Sequence, residues 1–189
     1  FRLAAHELLL QALAFFFAGR PKESRAAFTR ALAAREALFG PESPKLVVTL
    51  NNLGDTLLKS GHVDEALANV ERGDAIARKA FPAGHPYIAA TTLTRAEAFV
   101  VLGRLKESKA ALETLMVQTP PLPAPYLAEA QAVQAQIALL ENDPKRALEC
   151  ADKSIGVARG IGPKSTELIA PLLAKGDALL SSSKPAEAE

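Results

Sequence analysis

The sequence predicts an all-α solenoid of stacked antiparallel helix pairs, and three observations lead there. The first is a ruler. Gly19, Gly61 and Gly103 lie 42 residues apart, each followed at a fixed offset by Glu and a small residue: Glu23-Ser24, Glu65-Ala66 and Glu107-Ser108. The same spacing relates Phe39 to Phe81 and Pro44 to Pro86. The second is composition: 37 of the 189 residues are Ala, the best helix former. The third is periodicity, since each copy holds two apolar stripes at helical spacing and no segment alternates like a strand between hairpin turns. One helix pair cannot bury its apolar faces alone, so neighbouring pairs must stack.

Taken in order, copy one (residues 1–42) predicts helices over 3–18 and 21–38. Copy two (43–84) begins with Ser43-Pro44, an N-cap followed by proline at the first helical position. Leu46, Leu50, Leu53 and Leu57 then mark a helix over 44–60. Gly61 supplies the left-handed residue that ends it. Val63, Ala66, Leu67, Val70 and Ile76 form the second stripe, over 63–79. The Phe81-Pro-Ala-Gly-His-Pro86 stretch breaks the chain before copy three (85–124), with helices over 86–102 and 105–117. Copy four (125–163) is shortened by three residues, with Asn142 in the glycine position and Ala147 in the small position. Its helices are expected over 125–141 and 144–159. A partial fifth copy (164–189) starts with a helix from about 165 to 182. There Gly176-Asp-Ala-Leu-Leu180 repeats Gly54-Asp-Thr-Leu-Leu58 at an offset of 122, as Glu187-Ala188 repeats Glu65-Ala66. By that register Ser181-Ser-Ser183 is a turn. The whole is one array of about four and a half copies, and its opening at Phe1 rather than Met is read as a piece of a longer protein. The ends look uncapped, so Leu3, Leu8 and Leu10, and Leu172, Leu179 and Leu180, are expected to be exposed and to favour self-association.

Composition removes several function classes. Twenty-two basic against 21 acidic residues leave a net charge of +1, no footprint for general nucleic-acid binding. Cys150 is the single cysteine, so neither an internal disulfide nor a cysteine zinc site can form. The most apolar stretch, Leu8–Ala18, is only 11 residues long and contains Gln11, against roughly 20 for a membrane span. A cytoplasmic setting is the expectation. His62 and His85 fall in turns as solvated residues, and no His-x-x-x-His or clustered Cys/His points to a metal. Glu149 and Asp152 beside Cys150 would raise its thiol pKa, which argues against a nucleophile. Ser181-Ser-Ser183 has no nucleophile-elbow glycines, and Gly160-Ile-Gly162 lacks the Lys and Ser/Thr of a phosphate loop. Pro120-Pro-Leu-Pro-Ala-Pro125 reads as a rigid connector. No cofactor, metal or catalytic constellation is expected.

The residues then carry a resemblance. Leu53, Gly54, Leu57, Ala66 and Val70 in copy two have the Leu-Gly-x-x-large, small-x-x-x-large pattern of the tetratricopeptide repeat. Ala12, Phe15, Ser24 and Phe28 match it in copy one, and Ala96, Phe99, Ser108 and Leu112 in copy three. The 42-residue period, the Thr49-Leu-Asn-Asn-Leu-Gly54 string and the Phe-x-x-x-(His/Ser)-Pro connector resemble the kinesin-light-chain variety, also found in bacterial multidomain proteins. Gln11, Arg95 and Gln134 depart from the pattern where Leu53 stands. The resemblance implies a right-handed superhelix whose first helices line a concave groove, with partner peptides lying in it and no catalysis.

The face of each first helix opposite its core stripe is therefore the candidate partner surface. In copy one it comprises His6, Leu9, Leu13, Phe16 and Phe17. Copy two contributes Asn51, Asn52, Asp55 and Lys59, where the resemblance implies that the asparagines hold a peptide backbone. Leu93, Glu97 and Val101 follow in copy three, Gln136 and Leu140 in copy four. This face is largely apolar, which suits a protein or peptide ligand with apolar anchors. Asp55, Glu97 and Glu129 are expected to favour Lys or Arg beside those anchors. The function expected is a protein-binding scaffold within a larger regulatory protein. The alternative is a sensor that binds a short signal peptide to control an attached kinase or transcription regulator.

Overall fold

The computed structural model describes residues 2–117, 121–162 and 169–183, and all regular structure among them is helical. The helices are α1 (Arg2–Phe17), α2 (Pro21–Phe39), α3 (Val47–Lys59), α4 (Val63–Ala80), α5 (Pro86–Val101), α6 (Leu105–Met116), α7 (Ala124–Leu140), α8 (Pro144–Ile161) and α9 (Ile169–Ser183). The first eight fall within three residues of their expected bounds. The largest shift is at α3, which is preceded by a 3-10 turn over Pro44–Leu46. Ser43 does cap it, its Oγ accepting the Lys45 N–H at 3.4 Å, and the turn is 3-10 because its backbone bonds span three residues, Leu46 N–H to Ser43 O (2.9 Å) and Val47 N–H to Pro44 O. The expected start of the fifth copy at 164–168, the 184–189 repeat of the Glu-Ala pair, and Pro120 of the proline connector lie outside the described residues.

The 42-residue ruler marks real turns. Gly19, Gly61 and Gly103 have φ of 66°, 79° and 70°, and Asn142 in the fourth copy has φ 59°. Each stands where the first helix of a pair ends in the left-handed conformation. At Gly61 the closing bonds run from His62 N–H to Leu57 O (2.9 Å) and from Gly61 N–H to Leu58 O (3.0 Å), satisfying carbonyls the helix would leave open. Where copy five has Ser183 instead of Gly61, that residue is helical. Ser181–Ser183 are the last residues of α9, which corrects the expectation of a turn there. Serine carries the Cβ penalty in the left-handed region that glycine escapes.

The chain divides into two compact units, residues 1–102 and 103–189. The first holds α1 to α5. Its interior is built on close approach of paired helices: a Cβ on Gly54 would sit 2.2 Å from Val70 Cγ2, so only glycine lets α3 meet α4 there. Ala12, Ala66 and Ala96 are fully enclosed, and Phe28, Leu50 and Leu57 fill the spaces between. Ser24, the small residue of copy one, is buried too, with Oγ 3.4 Å from Ala12 O and 3.3 Å from Thr56 Oγ1. Outside the core, Arg72 pairs with Glu36 and Arg25 with Glu65 (2.8 Å), tying α4 to α2. His85 is more than a solvated turn residue. Its Nδ1 accepts the Tyr87 N–H at 3.2 Å as the N-cap of α5, and its ring stacks on Phe81 with centroids 4.1 Å apart.

The second unit holds α6 to α9. Here small residues make the seams: Ala135, Cys150, Ala151 and Ala174 cluster at one level, Ala138, Ala147 and Ala178 at the next. Burial pushes the Cys150 thiol above its ordinary pKa, with smaller opposing effects from Arg146 and Lys153. The direction agrees with the sequence expectation, but desolvation rather than the neighbouring acids is its main cause.

Candidate functional site

The candidate face is built in the first unit from α1 and α3, with α5 beside them. Phe16 and Phe17 close α1 with their rings edge to face, centroids 5.4 Å apart. Phe16 is partly buried and leans on Phe28 of α2 at 6.4 Å, whereas Phe17 stands 81% exposed. Across from them, Lys59 in the last turn of α3 places its Nζ 4.6 Å over the Phe16 ring and 2.8 Å from Asp55 Oδ2. The structure thus brings Phe16, Phe17, Asp55 and Lys59 into one aromatic and charged cluster. A cleft of about 270 Å³ opens next to it, lined by Phe16, Gly19, Arg20, Pro21, Ser24, Thr56 and Lys59. Its hydroxyl groups are already bonded: Thr56 Oγ1 donates to Asn52 O at 2.7 Å and meets Ser24 Oγ. Arg20 lies over the Phe15 ring at 4.7 Å and bonds Glu23, whose carboxyl is held below its usual pKa by its own backbone N–H and by Arg20.

A second cluster lies at Asn51. Its Oδ1 accepts from Thr94 Oγ1 at 3.1 Å, a bond between α3 and α5. Thr94 occupies the position one ruler length after Asn52, so the ladder of asparagines is replaced there by an Asn–Thr pair. Asn52 is partly exposed, as is Glu97 on α5, and Val101 at the end of that helix is open to solvent. His6 is exposed on α1 and Leu13 half-buried.

Two predicted positions face inward instead. Leu93 is 0% exposed and Leu9 is enclosed as well, packed with Ala12, Ala27 and Phe28. Helix α5 is covered on more of its circumference than a simple two-faced stripe implies, because α3 and α4 both pack on it. Gln136, partly exposed, and Leu140, exposed, lie on α7 in the second unit. The expected negative face is also reduced, since Lys59 neutralises Asp55.

Sequence reasoning missed Asp74. This carboxylate is buried, and its Oδ2 accepts from Arg78 Nε (2.7 Å) and Arg95 Nη1 (3.0 Å), its Oδ1 from Thr91 Oγ1 (3.0 Å). Arg95 is the residue that departs from the leucine of the repeat pattern, and Asp74 is the reason the departure is tolerated. The signal available in the sequence was that unmatched arginine. Among the described residues no group of three or more His, Cys, Asp or Glu could hold a metal ion, and no helix is long and apolar enough to cross a membrane.

Comparison with known proteins agrees with the fold. Residues 3–79 match the tetratricopeptide repeat family. Two crystal structures of nearly identical TPR-like repeats from a Podosopora anserina protein assigned as a kinesin light chain, one of them a single-substitution variant, superimpose with TM-score 0.66 at 20% identity. Each alignment covers 95% of this chain and 85% of the other. A thermophilic TPR protein of Thermus thermophilus aligns with TM-score 0.52 at 20% identity, over 93% of this chain and 99% of that one. No curated protein matches the sequence. Tetratricopeptide repeats generally mediate protein–protein interaction. The chain has the fold of a tetratricopeptide-repeat array, and its residues 3–79 match the family's sequence pattern.

Proposed function

We propose that this chain is a non-catalytic scaffold that binds a protein or peptide through the α1/α3 face, as an interaction module of a larger cytoplasmic protein. The observation that carries the reading is Phe17. A phenylalanine 81% exposed beside a second, half-buried one would be replaced by a polar residue on a surface with no partner. Lys59 stands over Phe16 in the same wall, while Asn51 and Asn52 offer amides to a peptide backbone. Burying an aromatic side chain contributes roughly 1.5–3 kcal/mol, so the two rings together account for well over tenfold in affinity. With Asp55 neutralised, recognition rests on apolar anchors and backbone amides more than on charge, and its salt dependence is modest.

Peptides selected from a displayed library against the 189-residue chain test this. Phe16→Ala/Phe17→Ala is expected to weaken them more than tenfold, and Asn51→Ala to weaken many sequences alike. Lys79→Ala, on the outer helix α4, should leave affinity unchanged. Equal binding to the Phe16/Phe17 variant and the parent would show that recognition happens elsewhere.

A further inference from the structure

The cleft beside Phe16 has a lining that the repeat itself does not call for. It is bounded by the end of α1, the first turn of α2 and the last turn of α3, all in the first unit. One ruler length on, Phe16, Arg20, Ser24, Thr56 and Lys59 become Leu58, His62, Ala66, Ala98 and Val101. The same place in the next copy therefore carries neither an aromatic ring nor a Lys or Arg. Stacking of helix pairs does not need a ring and two cations here, and their presence points to an occupant.

The donors around the cleft are spent, which argues against an anionic occupant. Ser24 and Thr56 are buried, with Ser24 Oγ donating toward Ala12 O (3.4 Å) and Thr56 Oγ1 to Asn52 O (2.7 Å). The N–H groups of Gly19 and Arg20 go to Phe16 O (3.1 Å) and Phe15 O (3.0 Å), and Pro21 has none. Arg20 Nε and Nη2 both hold Glu23 Oε1, at 3.0 and 2.8 Å, and Lys59 Nζ holds Asp55 Oδ2 at 2.8 Å. An entering carboxylate or phosphate must compete with those two carboxylates for its cations. A ring need not. Lys59 lies 4.6 Å from the Phe16 centroid while bonded to Asp55, and Arg20 lies 4.7 Å from the Phe15 centroid while bonded to Glu23. Pairing with an acid thus leaves each cation able to lie on an aromatic face, and a guanidinium has a second face to offer.

We propose that this cleft receives an uncharged aromatic side chain, Phe, Tyr or Trp, of the peptide bound on the α1/α3 face. The proposal rests on the function given above and names its anchor. At about 270 Å³ the cleft falls just below the roughly 300–1,000 Å³ of small-molecule pockets, so it has room for one large side chain. The incoming ring meets Phe16, which already takes Phe17 and Phe28 edge to face, with ring planes at 84° and 73°. Its electron-rich faces complement Lys59 and Arg20, which an aliphatic chain of the same size cannot do. Phe16 and Pro21 supply apolar contact to either kind of anchor, and the two cations select the ring.

The probe is a peptide selected from a displayed library against the full 189-residue chain, resynthesised with its anchor position varied. Selected peptides are expected to share one Phe, Tyr or Trp. Cyclohexylalanine there keeps the size but removes the π system, and should weaken binding at least about threefold. Pentafluorophenylalanine, whose ring face is electron-poor, should also bind more weakly than phenylalanine, and Glu weakest of all. Lys59→Met and Arg20→Met keep apolar stems and remove the charges. Each should narrow the gap between the phenylalanine and cyclohexylalanine peptides, and the double variant should close it. Both peptides are compared on the same variant, so any loss of stability cancels. Aliphatic or acidic anchors, or equal affinity of the phenylalanine and cyclohexylalanine peptides for the parent chain, overturn the proposal. If Phe17→Ala still weakens those peptides, the α1/α3 face stands and only the aromatic anchor falls. Peptides indifferent to Phe16→Ala/Phe17→Ala, or a selection that yields none, overturn both.

Discussion

Arg95 sits where the repeat pattern calls for leucine, and its charge is held by a carboxylate 21 residues earlier in the chain. Asp74 accepts from two arginines and Thr91 in a buried setting, so its removal leaves Arg95, itself mostly buried, without its counter-charge. Breaking a buried pair from one side costs more than removing both partners. Asp74→Ala is therefore expected to destabilise the chain by about 3 kcal/mol in urea unfolding. Asp74→Leu/Arg95→Leu, which restores the apolar pattern, should lie within about 1 kcal/mol of the parent or above it. A double variant as unstable as the single one would show that packing, not charge, is at stake. Cys150 offers a second residue-scale prediction. Its folded pKa is raised by burial, so the protonated thiol is favoured in the fold. The stability this contributes is full below the ordinary thiol pKa and is lost as pH rises through the raised folded value. Alkylation of the native chain at mildly alkaline pH should be much slower than that of the urea-unfolded chain, and Cys150→Ala should flatten the alkaline end of the stability profile.

At the scale of elements, helix existence and pairing were legible because two local signals coincide at each turn: the end of an apolar stripe and a residue suited to positive φ. Asn142 shows this best, since it occupies the glycine position and takes φ 59°. Asparagine is the non-glycine residue best suited to that region. Asn142→Gly should be neutral or stabilise by up to about 1 kcal/mol, whereas Asn142→Val should cost about 1–2 kcal/mol, read from thermal melts. A valine variant as stable as the parent would mean that α7 ends for another reason. What was not legible depends on partners distant in sequence. Asp74 reads as an ordinary polar position in a helix until α5 brings Thr91 and Arg95 beside it. Leu93 reads as an outward residue because the outward face was inferred from α3 alone, while α5 is covered by both α3 and α4. On the candidate face, the aromatic end at Phe16 and Phe17 was visible in the sequence, but the role of Lys59 was not. A lysine above a phenylalanine ring needs α1 and α3 in contact before it means anything.

For the whole molecule, repeat architecture distributes stability unevenly, because each helix is held only by its immediate neighbours. In the first unit α3 is packed by α2, α4 and α5, whereas α1 rests chiefly on α2 and leaves Leu3, Leu10 and Phe17 in solvent. In the second unit α7 and α8 hold each other closely, and α9 adds to them through alanines while its leucines face outward. Alanine contacts release less apolar area from water than leucine contacts, so α9 gains less from docking than a helix that turns its large side chains inward. Opening should then begin at these helices in each unit, without unfolding the interior. Native-state hydrogen exchange is expected to show slower amides in α3 and α4 than in α1, and slower amides in α7 and α8 than in α9. Low urea should speed α1 and α9 before the interior helices respond. Uniform protection along a unit, with all its amides responding to urea on one slope, would instead mean that the unit opens only as a whole and that neighbour-limited packing does not govern this array.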